Sequence, residues 1–143
     1  MFAFLISCGS APFFEENIAV DNGSWKFDSP VKMKVDIKDS SSTYNIYLNA
    51  RNTRDYEYQN LIIFLKISDP EGMPSIDTLE YRVADEDGKW TGEVSESLVM
   101  NSWLTYKNKQ FDRSGTFTFE IWHGMSDMLL SEITDVGIRI EKN

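Results

Sequence analysis

The strictest constraint on this chain is an apolar–polar alternation that recurs along its length. Val31, Met33, Val35 and Ile37 are interleaved with Lys32, Lys34, Asp36 and Lys38. Successive side chains of a strand point to opposite faces, so such a run has one face on a core and one in water. Tyr44, Ile46, Leu48 and Ala50 alternate with Asn45, Tyr47, Asn49 and Arg51 in the same way. So do Leu79 to Val83, Phe117 to Ile121 and Val136 to Ile140. Leu61 to Ile67 is almost unbroken apolar, which predicts a central strand covered on both faces. Between the runs lie Asp39-Ser40-Ser41-Ser42, Asp69-Pro70-Glu71-Gly72, Asp87-Gly88 and Arg113-Ser114-Gly115, residues that favour turns. About eight strands result, with no helix beyond a turn around residues 125–130. The pattern predicts an all-β chain, an antiparallel β-sandwich of jelly-roll-like form.

The 143 residues suit one domain, and 41% hydrophobic content supplies its core. The expected division is a partial signal segment at residues 1–7, an anchored cysteine and tether at 8–20, and the sandwich at 21–143. The formal charge of −9 repels nucleic acid, whose affinity comes from Lys and Arg at phosphates, and anionic lipid headgroups likewise. Proteins, neutral glycans or cations fit better. One cysteine and one histidine allow no internal disulfide and no Cys/His zinc set. No cofactor or metal is expected, and nothing in the pattern sets an oligomeric state.

Leu5-Ile6-Ser7-Cys8 has the form of a lipobox: an aliphatic residue three before the cysteine, a small residue directly before it, and apolar residues ahead. Cys8 would become the acylated N-terminus, each buried methylene adding about 0.8 kcal/mol of anchoring. Gly9-Ser10-Ala11-Pro12 follows as a tether. No basic residue precedes the apolar stretch, and seven residues are short for a signal peptide, so either translation starts upstream of Met1 or the sequence has been trimmed. The first acids, Glu15 and Glu16, come after a neutral spacer, which favours the periplasmic side.

Asp85-Glu86-Asp87-Gly88 places carboxylates near one another but lacks the rest of a calcium loop, and a hairpin turn accounts for it. The aromatics are the better candidates for contact. Tyr56 and Tyr58 flank Glu57 in a polar segment after Arg51, Trp90 follows the Asp-Gly turn, and Trp103 and Trp122 sit in or beside strands. Arg51, Tyr56 and Tyr58 suit a protein contact, because Arg and Tyr are enriched at interfaces. Trp90, Trp103 and Trp122 would suit a sugar-stacking platform if their rings were coplanar and exposed; the competing reading packs them on strand edges. His123 is the sole imidazole. No nucleophile elbow or phosphate loop occurs, so the expectation is a protein without catalysis.

Three stretches together resemble the gliding-motility lipoprotein GldH family. They are Tyr44 to Thr53 continuing through Asp55, Tyr56, Tyr58, Asn60 and Leu61; Asp77-Thr78-Leu79-Glu80 with Ala84-Asp85 and Gly88 to Gly92; and Asp135 to Lys142. With the lipobox ahead, the ordered set spans nearly the whole chain. The resemblance implies a lipid-anchored envelope protein tied to the gliding machinery and to secretion of surface adhesins. Its implied partners are other envelope, motility or secretion proteins, and the membrane through Cys8. It brings no catalytic residue or cofactor, only the lipidated cysteine. The alternative is a glycan-binding sandwich module of the envelope.

Overall fold

The computed structural model of the protein describes residues 11–143; Cys8 and the signal segment lie outside the described residues. The described residues form eleven strands: β1 (Phe14–Ala19), β2 (Ser24–Lys26), β3 (Val31–Ile37), β4 (Tyr44–Thr53), β5 (Asn60–Ser68), β6 (Pro74–Arg82), β7 (Glu93–Val94), β8 (Leu98–Lys109), β9 (Gly115–His123), β10 (Leu129–Ser131) and β11 (Ile133–Lys142). A five-stranded sheet runs β1-β11-β4-β8-β7, a four-stranded sheet runs β3-β9-β5-β6, and β10 pairs with β2 as a small third sheet. Every pairing is antiparallel.

The alternation read from sequence becomes the layering. Ile46, Leu48 and Ala50 of β4 and Val136, Ile138 and Ile140 of β11 are buried, and so are Val35 and Ile37 of β3 and Phe117, Phe119 and Ile121 of β9. These inward residues of the two sheets make one core. An antiparallel β-sandwich is thus the observed fold. More strands form than the eight expected because β2, β7 and β10 are only two or three residues long, too short to show a period.

Three local expectations change. β5 is central, between β9 and β6, but only one face is covered: Leu61, Ile63 and Leu65 are buried while Phe64 is 39% exposed. Its continuous apolar run therefore supplies a core face and an exposed apolar patch. Residues 125–130 form no helix; a bend leads into β10. β1 lies inside the stretch expected as tether and pairs with β11 from Phe14 to Ala19, so the sheet begins at Phe14. The Asp-Gly turn is as expected: Gly88 has φ 79°, and Asp85 Oδ1 accepts the backbone N–H groups of Asp87 and Lys89.

Candidate functional site: the outer face of the five-stranded sheet

Arg51 and Asn49 point to the wet side of β4, and the register shows what stands beside them. Asn17, Gly137, Asn49 and Ser102 lie in one cross-strand row over β1, β11, β4 and β8. Glu15, Arg139 and Tyr47 make the next row on one side; Asp135, Arg51, Met100 and Glu93 make it on the other. Gly137 supplies no side chain, and the space a Cβ would take is filled by the Glu16 carbonyl oxygen and Asn17 of β1. A cleft of about 610 Å³ opens elsewhere on this face, bordered by Glu15, Asn17, Asn49, Arg51, Glu93 and Ser102 among others.

The side chains of this face are tied to one another. Arg51 Nε donates to Asp135 Oδ1 at 3.1 Å. Asn49 Nδ2 donates to Glu15 Oε2 at 3.3 Å and Asn17 Oδ1 at 3.2 Å, and its Oδ1 accepts the Ser102 hydroxyl at 2.7 Å. Arg139 reaches Glu15 at 3.4 Å and Glu141 at 3.1 Å. Neighbouring carboxylates hold the Arg139 guanidinium protonated against the cost of its desolvation, and its pKa lies above the ordinary value. The result is a fixed alternation of donors and acceptors on a rigid sheet, suited to recognition through hydrogen bonds.

The other sequence candidates are dispersed. Tyr56 is buried, its hydroxyl donating to the Asn60 carbonyl at 2.8 Å, and burial raises its pKa. It therefore anchors the β4–β5 loop and presents no ring to a partner. Tyr58 is half-buried against it, edge to face at 5.8 Å, and its hydroxyl donates to Asp127 at 2.8 Å; that hydrogen bond raises the Tyr58 pKa. Trp103 is stacked on Tyr81 at 4.5 Å, between the two sheets. Trp90 packs against the core beside its bridge to Ala84. Trp122 lies next to Phe64 on the outer side of the four-stranded sheet. The three tryptophans share no surface, so they make no stacking platform. His123 is inside the sandwich, with the edge of Trp25 at 5.4 Å and no partner for either ring nitrogen among the described residues. Among those residues no group of three or more His, Cys, Asp or Glu is placed to hold a metal ion.

Sequence reasoning reached Arg51, Asn49 and Tyr47 through the period of β4. It missed Glu15, Asn17, Ser102, Asp135 and Arg139 as their companions. Arg139 was visible as a wet position of its own strand, but no local signal says that β11 and β1 lie beside β4.

The chain is thus an antiparallel sandwich with a preorganised polar face. It belongs to the GldH lipoprotein family, whose model matches residues 12–140. It is 36% identical to the gliding motility lipoprotein GldH homolog of Christiangramia forsetii, over 96% of this chain and 88% of that protein. It is 32% identical to the gliding motility lipoprotein GldH of Flavobacterium johnsoniae, over 96% and 89%.

Proposed function

We propose that the protein is a lipid-anchored component of the cell envelope that acts without catalysis, docking another envelope protein on the outer face of its five-stranded sheet. Cys8 carries the lipid, the domain faces the periplasm, and the setting is the gliding machinery that names its relatives. The observation that carries the docking is the array around Gly137, in which Asn49, Arg51, Glu15, Asn17 and Asp135 are held by mutual hydrogen bonds before any partner arrives. Preorganised side chains lose little freedom on binding.

The register also orients the domain. Phe14 lies opposite Ile140, which lies opposite Ile46, which lies opposite Tyr106, so the tether enters at the end where β4 begins and β8 finishes. The array runs along the flank from that end, open to a neighbour standing beside the domain.

The test is in-cell crosslinking of the tagged protein in a gliding host lacking its own copy. The wild type is expected to hold a defined envelope protein and restore spreading. The double change Asn49→Ala and Arg51→Ala is expected to lose both while keeping its circular dichroism and expression level. An unchanged crosslinking pattern in the double variant would sink the docking face. Metabolic labelling with a fatty-acid analogue, lost in Cys8→Ser, checks the anchor separately.

A further inference from the structure

Among the described residues, β6 is the outermost strand of the four-stranded sheet and pairs with β5 alone. Antiparallel partners alternate between pairs that exchange both backbone hydrogen bonds and pairs that exchange none. The hairpin sets the phase. Asp69 N–H donates to the Met73 carbonyl at 3.0 Å, and the next pair, Ser68 with Pro74, falls in the unbonded position, where proline's missing N–H costs nothing. At the far end Val83 N–H donates to the Gln59 carbonyl at 2.8 Å, in the same phase. Ser75, Asp77, Leu79 and Tyr81 therefore direct their backbone groups to β5. Ile76, Thr78 and Glu80 direct theirs outward, at a repeat of about 6.8 Å. Among the described residues no strand borders them on that side.

The other edges are guarded by the devices that keep sheets from pairing. β3 carries Lys32 and Lys34. β8 is covered at one end by β7 and is irregular at the other, with Lys107 and Lys109. β1 is six residues long and carries Glu15 and Glu16. β6 has nine residues and an unbroken register; its proline and its arginine stand at the two ends, Pro74 and Arg82, and it has no lysine.

We propose that the β6 edge receives an extended, basic segment of a partner protein as an added strand. The outward N–H and C=O groups match only an extended backbone. Asp77 and Glu80 outnumber Arg82 on the strand, on a body of net charge −9, so the segment is basic. Ile76, 62% exposed, lies opposite Lys66 and diagonal to the exposed Phe64, which gives an apolar side chain of that segment a place to rest. A second copy of this chain fits poorly, since pairing would bring together two bodies of net charge −9. The surface is separate from the Arg51 face, and either can fail without the other.

The probe is a synthetic peptide alternating valine and lysine, added to the full chain, with valine–glutamate and proline-interrupted peptides for comparison. Hydrogen exchange by NMR is expected to slow at the amides of Ile76, Thr78 and Glu80. Thr78→Pro, which removes an outward donor and no bond to β5, is expected to weaken binding about tenfold or more, while Arg51→Ala leaves it unchanged. Should Thr78→Pro unfold, Ile76→Lys carries the test through charge repulsion of the basic peptide. The proposal is overturned if those amides gain no protection, if both variants bind like wild type, or if the glutamate peptide binds as well. Dimerisation of the peptide-free protein with those amides protected would overturn it too, by making a second copy the occupant.

Discussion

Gly137 earns its place through space, since its φ lies outside the left-handed region where glycine is needed. A Cβ there would stand 2.1 Å from the Glu16 carbonyl oxygen and 2.3 Å from Asn17 Oδ1. Because the clash is partly with backbone, β1 would have to move. Gly137→Ala is expected to destabilise by about 1–3 kcal/mol, the usual cost of overpacking, and to loosen β1; an unchanged urea midpoint would count against this. His123 gives a second residue-scale prediction. It is 4% exposed, and burial holds its pKa below the ordinary value, outweighing the opposing pull of the Asp127 carboxylate. The unfolded chain then binds a proton that the folded one refuses, so stability falls as pH drops below about 6.5. Asp39, whose hydrogen bonds from Ser41 and Ser42 hold its pKa well down, loses its contribution only at much lower pH. Urea titrations between neutral and mildly acid pH should therefore show a decline that His123→Leu flattens; an equal decline in the variant would assign it elsewhere.

At the scale of elements, the phase of β6 makes adjacent residues unequal. Thr78 directs its N–H away from β5 and Leu79 directs its own toward it, as the hairpin bonds require. Thr78→Pro should therefore cost little, and Leu79→Pro should cost about 1–3 kcal/mol more through its lost ladder bond. Equal losses in thermal unfolding would show that the phase is misassigned. This contrast also marks how far the sequence could be read. Burial alternates within a strand, so the wet and dry faces of β3, β4, β9 and β11 were legible residue by residue. Pairing is a relation between distant segments: Asn49 meets Glu15 across 34 residues and Arg51 meets Asp135 across 84. Hence the period of β4 pointed to Arg51 but not to the array that holds it. Tyr56 misled because a tyrosine in a polar segment carries no local sign that its ring is buried.

The whole molecule carries nine more negative than positive charges, and its ion pairs are mostly at the surface. Arg113 gathers Asp112 at 3.0 Å and Glu71 at 3.1 Å, and Glu120 joins Lys32 at 3.4 Å to Lys66 at 3.5 Å. Such exposed pairs contribute at most about 1 kcal/mol each. Salt acts on the two kinds of interaction differently because of their ranges. Screening lengths shrink from about 30 Å at 0.01 M to about 8 Å at 0.15 M, while a ten-residue strand such as β4 is about 33 Å long. At low salt, acids on opposite ends of the sandwich therefore still repel one another, and at physiological salt they do not. The ion pairs, with partners within 4 Å of each other, lie inside the screening length in both cases and change less. Added sodium chloride should thus relieve more repulsion than it removes attraction, raising the unfolding temperature. For a chain of this size, about 1 kcal/mol of relief corresponds to about 2–4 °C. The measurement is thermal unfolding at fixed pH across that range, with potassium chloride in parallel to exclude an effect of one cation. A fall in the midpoint would mean that the surface pairs, not the net charge, dominate the electrostatics of the fold.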